Sequence, residues 1–266
     1  MAKKRSQLKR LTFKQWLGMT VALSAALVTH AGNGPAFAVT VETPPWPTMT
    51  VTIGSDAINV TPNWNYDAVQ DRFTLAGPLT ATSFANNGST FTIHSAEAVP
   101  DPVLLFSASA TNNAGIPLAY SFAFNSPLLP NLLGSVSSHA ELGVTLTDGL
   151  NNGATVQPAL PLPGAKMLTS FDLYAGGAPI SKNVDIGTLF SIASGTGGTT
   201  FMADSSLVCG SPCVTMSAVL AFTLTPEDAV GFSGKVVQNA VPIPGALWLF
   251  GSGLVGLTRL ARRKAS

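Results

Sequence analysis

Charge, histidine and cysteine are all scarce in this chain, and each scarcity narrows what it can be. Only 10% of the residues are Asp, Glu, Lys or Arg. The 13 carboxylates are scattered, with no Asp-x-Asp-x-Asp ladder of the kind that wraps a calcium ion. Asp148-Gly149-Leu150-Asn151-Asn152-Gly153 could offer loop oxygens to a weakly held ion, but turn formation accounts for the same residues. Past residue 38 the only histidines are His94 and His139. A hydrolase needs a histidine beside a nucleophile and an orienting acid, or two carboxylates across a cleft. His94 alternates with Thr92 on an amphipathic stretch and His139 follows Ser137-Ser138, so both read as residues of a solvated strand face. The expectation is a chain that is not an enzyme and takes no cofactor or metal.

The two cysteines stand together as Cys209-Gly-Ser-Pro-Cys213. In a protein that leaves the cytoplasm, as the chain's beginning indicates, a disulfide across this short turn is the leading reading. Redox motifs usually separate their thiols by two residues, and a metal site would lack its remaining ligands in this neighbourhood.

No stretch shows a convincing 3.6-residue period, whereas alternation and β-branched or aromatic enrichment recur throughout. Strands are expected at 48–53, 80–86, 89–95, 104–111, 118–125, 167–174 and 215–224. Asn87-Gly88, Asp148-Gly149 and Asn152-Gly153 are turn sites that supply positive φ, Asn112-Asn113-Ala114-Gly115 reads as a hairpin loop, and SGTGGTT at 194–200 as a flexible one. Seven or more strands with short polar turns predict an all-β fold, an antiparallel β-sandwich of jelly-roll type. A ligand face on it would need exposed rings, for which Trp46, Trp64, Tyr66 and Tyr120 are the candidates. Trp64-Asn65-Tyr66 sets two rings on one side of a strand.

The two ends differ from this middle. Six Lys or Arg precede a 13-residue apolar run from Trp16 to Val28, and Gly34-Pro35 leads into Ala36-Phe37-Ala38. That pattern predicts a secretory signal peptide over 1–38, cut after Ala38 by signal peptidase. At the other end, 23 consecutive uncharged residues separate Lys235 from Arg259. A helix from Pro244 to Ala261 would span about 27 Å, close to the thickness of a membrane's hydrocarbon core. Arg259, Arg262, Arg263 and Lys264 close it on the cytoplasmic side by the positive-inside rule. Between the ends, residues 39–240 carry 4 basic against 13 acidic residues, a net of −9, which argues against nucleic acid as a partner. The domains expected are the signal peptide, an ectodomain over 39–237 and a C-terminal segment over 238–266.

That C-terminal segment resembles the PEP-CTERM sorting signal in its VPLPA-type variant. The resemblance rests on Val241, Pro242, Pro244, Trp248, Gly253, Gly256, Arg262 and Arg263, with Ile243 where the eponymous form has Glu. It implies a substrate of an exosortase, a membrane-embedded processing enzyme of Gram-negative bacteria that make exopolysaccharide or biofilm. The protein would pass through the inner membrane transiently and finish at the cell surface or in the extracellular matrix. Extracellular polysaccharide is then the partner to consider. The alternative is a carbohydrate-binding or carbohydrate-cleaving module.

Overall fold

A computed structural model of the chain describes residues 45–159, 165–174 and 179–241. The signal-peptide residues Ala36 and Ala38 and the sorting-signal residues Pro242, Pro244, Trp248, Arg259, Arg262 and Arg263 lie outside them. Among the described residues there is no helix, and the fold is all-β and antiparallel. The strands are β1 Thr48–Ile53, β2 Asp56–Ile58, β3 Trp64–Asp67, β4 Arg72–Leu75, β5 Leu79–Ser83, β6 Ser89–Val99 and β7 Val103–Thr111. They continue as β8 Leu118–Thr147, β9 Ala154–Pro158, β10 Leu168–Tyr174, β11 Pro179–Ile186, β12 Phe190–Ile192, β13 Thr196–Leu224 and β14 Ala229–Ala240.

Two strands of about thirty residues explain how one hydrogen-bonded network becomes two layers. The first half of β8 lies between β1 and the second half of β13, with Val51 and Leu220 both opposite Phe122. Its second half lies between β14 and the first half of β13, with Val230 and Gly197 both opposite Leu146. One layer is therefore β2, β1, β8, β13, β10 and β11. The other runs β13, β8, β14, β7, β6, β4 and β3, with β5 also paired to β6.

The corner falls where the ladder breaks. Pairing jumps from Cys209 opposite Gly134 to Cys213 opposite Leu132 and then Thr215 opposite Pro127. Prolines lack the amide a ladder needs, and Gly134 sits at φ +82, a conformation that costs other residues more. The register shifts also change which parity of β13 faces inward, as a bulge does.

Between the layers the inward residues are apolar and close-packed. Phe91 and Phe106, from β6 and β7, meet Phe122 of β8 at ring-centroid distances of 5.5 and 5.4 Å. Phe232 of β14 meets Phe222 of β13 at 4.7 Å. Each such buried ring contributes on the order of 1.5–3 kcal/mol relative to exposure, so these contacts hold the two layers face to face.

Several local expectations change. Asn87 and Gly88 do take positive φ in the turn between β5 and β6. Gly149 does not; it is needed for space, since a Cβ there would stand 2.0 Å from the Glu227 carbonyl oxygen. Asn112-Asn113-Ala114-Gly115 is no hairpin, because β7 pairs with β6 and β14 and the chain crosses to the other layer. The Asn112 carboxamide fixes that crossover by donating to the carbonyls of Ile116, Leu224 and Thr225. The expected flexible loop at 194–200 is mostly strand, with Thr196 to Thr200 paired to β8. β14 continues to Ala240, three residues past the expected end of the ectodomain, and Gln238 is buried there.

Candidate functional site

Cys209 and Cys213 are joined in a disulfide at the corner, with their Cα atoms 6.0 Å apart and both side chains buried. The Asp172 carboxylate lies within 4.8 Å of the sulfurs, but paired sulfurs are not the thiolates that bind metal. Asp172 Oδ1 instead accepts a hydrogen bond from Gln238 Nε2 at 2.8 Å, across the core between the layers. Asp148 is also occupied. Its carboxylate accepts the amides of Leu150, Asn152 and Gly153, so the loop's acid closes a turn.

The four candidate rings sort by burial. Tyr120 is 1% exposed and stacks on Phe222, its hydroxyl donating to the Thr111 carbonyl; burial pushes that hydroxyl up to about 12. Trp64 is 8% exposed, stacks on Phe124 and donates its indole N–H to the Pro47 carbonyl at 2.9 Å. Tyr66 is half-buried against Phe73, and its hydroxyl donates to Asp71 at 2.8 Å. Burial, then the Asp71 bond, pushes that hydroxyl up to about 12 as well. The Trp64–Tyr66 pair is thus turned to the core side of β3, where strand alternation puts its apolar bulk, and does not form an open two-ring platform.

Trp46 is different. It remains 48% exposed while its edge packs on Phe73 with centroids 5.4 Å apart. The ring lines a concavity of about 550 Å³ with Thr48, Thr50, Asn59, Thr61 and Asn63. The ring is held by a buried neighbour; three threonines and two asparagines share the lining with Pro47, Met49, Val60, Pro62 and Trp64, and among the described residues no charged side chain lines the concavity. Sequence pattern alone gave no reason to rank Trp46 above Trp64, because burial on the Phe73 side depends on β4, a four-residue strand that was not expected.

A row of charges crosses the outer face of the second layer. His139 Nδ1 and Nε2 lie 2.8 and 2.9 Å from Asp204 and Glu141, and Lys235 lies 3.7 Å from Glu141. The hydrogen bonds to Glu141 and then to Asp204 raise the imidazole above its ordinary value. The bond to His139 and the charge of Lys235 hold Glu141 below its own. Arg72 pairs with Glu97 at 3.6 Å. His94 Nε2 lies 2.8 Å from Ser109 Oγ, but among the described residues no carboxylate hydrogen-bonds His94, so this pair lacks the acid that would orient a general base.

No protein-family model and no curated protein matches the chain. Among solved structures, the chain is similar to the enzymatically active domain of tailspike protein 4 from bacteriophage CBA120, at 12% identity and a TM-score of 0.28. That match covers 73% of this chain and 19% of the tailspike chain, so the chain spans about a fifth of it. It is also similar to TmCBM61 in complex with β-1,4-galactotriose, at 8% identity and a TM-score of 0.25, covering 62% of this chain and 90% of that one. A third is the CBM22-1 xylan-binding domain of Paenibacillus barcinonensis Xyn10C, at 6% identity and a TM-score of 0.27, covering 62% and 88%. Overlap this low assigns neither family nor function, and the functional reading rests on the residues of the chain itself.

Proposed function

We propose that this chain is an exported, non-enzymatic protein of the cell surface or extracellular matrix whose β-sandwich binds polysaccharide through the Trp46 concavity. The observation that carries the reading is the exposed indole of Trp46, packed on Phe73 and sharing a concavity with Asn59, Asn63 and three threonines. An apolar ring face matches the C–H face of a sugar ring, and carboxamides and hydroxyls match its hydroxyl edge. Cleavage is the weaker reading, because among the described residues no carboxylate hydrogen-bonds His94, and Glu97 and Glu141 are both engaged with cations.

Export and sorting belong to the same proposal and rest on the resemblance of the C-terminal segment. The signal peptide would deliver the chain across the inner membrane, and the apolar helix after Pro244 would park it there. An exosortase would then act near Val241–Gly245. The jelly-roll-like sandwich would be the part that reaches the matrix.

The binding test is co-sedimentation of the mature protein with insoluble polysaccharide from the producing cell's own matrix. Trp46→Ala should lower the bound fraction at least about tenfold in apparent affinity while the unfolding midpoint stays within a few degrees, because the ring is half outside the core. Equal binding by wild type and Trp46→Ala contradicts the proposal.

A further inference from the structure

The outer face of the second layer carries a separate groove. Five strands pass beneath it, β6, β7, β14, β8 and β13, and register aligns their outward residues in rungs. One rung is Ser109, Gly231, Thr145 and Gly198; the next is Ser107, Ser233, Gly143 and Thr200. These residues border a concavity of about 580 Å³. An adjoining one of about 490 Å³ shares Ser107, Gly143, Thr200 and Ser233 with it and reaches Thr74 and Leu75 on β4. From β6 to β13 the path crosses four strand spacings, about 19 Å.

Three local features make this a groove instead of an ordinary solvated face. Register slips between Ile93 and Ser95, so His94 and Ser95 both point outward, and a bulge of this kind re-aims side chains. His94 then reaches Ser109 across the neighbouring strand. Gly143 leaves the middle of the floor bare, and the Ser233 hydroxyl lies 2.5 Å from where its Cβ would stand. At Gly231 and Gly198 the floor also lacks side chains, so the side chains around the first concavity are hydroxyls and one imidazole, while the adjoining one is also lined by Leu75, Glu97, Leu105, Glu141 and Lys235.

The lining selects a ligand class. Serine and threonine hydroxyls both donate and accept, which suits a polyol and gives no preference for an ion. The charged residues along the border have partners, Arg72 with Glu97, Lys235 with Glu141, and the carboxylates of Glu141 and Asp204 with the His139 ring. Among the described residues no Lys or Arg without a carboxylate partner faces the groove to attract an anionic chain. The aromatic side chains of its strands, such as Phe232, point to the core, so grip must come from many hydrogen bonds along an extended chain and not from stacking on one ring.

We infer that this groove is a second saccharide site, which takes an extended stretch of uncharged polysaccharide laid across β6, β7, β14, β8 and β13. It shares its ligand class with the Trp46 reading and none of its residues, so either site can fail alone.

The test is affinity electrophoresis of the mature protein in native gels cast with dextran, galactomannan or hydroxyethyl cellulose. Gly231→Tyr is the blocking variant, since its Cβ first meets the Thr145 carbonyl at an ordinary 3.9 Å and the ring projects into the groove. Thr145→Tyr, exposed on the same rung, serves if Gly231→Tyr does not fold. The groove predicts retardation by at least one polymer and a loss of about tenfold in apparent affinity in the blocking variant. Retardation unchanged in the blocking variant overturns the groove, and if Trp46→Ala then abolishes it, the Trp46 site stands alone. Retardation lost in the blocking variant but kept in Trp46→Ala supports the groove and removes the Trp46 site. No retardation by any of the three polymers overturns the groove as a site for uncharged chains.

Discussion

Asp172 shows how a single buried carboxyl sets the conditions a fold prefers. Its side chain is fully buried; Oδ1 accepts from Gln238, while among the described residues Oδ2 and the Gln238 side-chain oxygen Oε1 have no hydrogen-bond partner. Burial pushes this carboxyl above the usual carboxylate range, against the smaller pull of the Gln238 bond. Its folded-state value therefore lies above the unfolded one, near 3.9. The stability it contributes is fully present below about pH 4 and is lost as pH rises through the folded-state value. Asp172→Asn removes the charge and gives Gln238 Oε1 a donor. It should raise stability at pH 7 by on the order of 1–3 kcal/mol, with the gain shrinking toward pH 4 in urea titrations. A variant no more stable than wild type at pH 7 would show that the carboxylate has a partner there. Beside it, Cys209→Ser with Cys213→Ser should cost no more than about 3 kcal/mol, because the bridge closes only a five-residue turn. Denaturation with and without reductant gives that difference.

At the scale of strands, the packing of β7 against β14 depends on a glycine opposite a ring. Gly234 pairs with Phe106, and a Cβ at Gly234 would stand 2.1 Å from that ring, which also packs edge-on against Phe122. Gly234→Ala should destabilise by about 1–3 kcal/mol, with a matching drop in the thermal midpoint. Strands that alternate strictly were legible: Thr48 to Ile53 is a strand with the expected boundaries, and Phe91, Phe122 and Phe222 all lie in expected strands. Short strands such as β4, with only Phe73 buried, and the glycine-rich start of β13 were not, because four half-buried residues carry no period. The continuation of β8 and β13 around the corner was equally hidden: no strand was expected between 125 and 167 or between 174 and 215, and the prolines at 127 and 130 lack the amide a ladder needs. For the site, residue type pointed to Trp46 as one ring of four, but its exposure depends on Phe73 arriving from β4. The groove left no signal at all, because it is written in register across five strands and not in any local pattern.

For the whole molecule, the ends and the middle are expected to part company. If the C-terminal segment is a processed sorting signal, the mature protein found in the matrix should lack Trp248, Arg262 and Arg263. Pro242→Ala with Pro244→Ala should leave membrane insertion intact and block release, because a proline-held extended segment is what a cleaving enzyme can grip. Intact mass of the matrix-derived protein reads both termini, and a mass that retains the terminal arginines would make this a single-span anchored protein. The released middle, with its net charge of −9, would then meet polysaccharide free of the basic ends. Trp46 is 48% exposed, whereas Trp64, which lines the same concavity, is 8% exposed, so Trp46 should give most of the response when a sugar binds. The most direct measurement is therefore a tryptophan-fluorescence titration of the mature protein with oligosaccharides cut from its own matrix. A saturable change in emission that loses most of its amplitude in Trp46→Phe is the predicted result; no change, or a change of undiminished amplitude in Trp46→Phe, would contradict it.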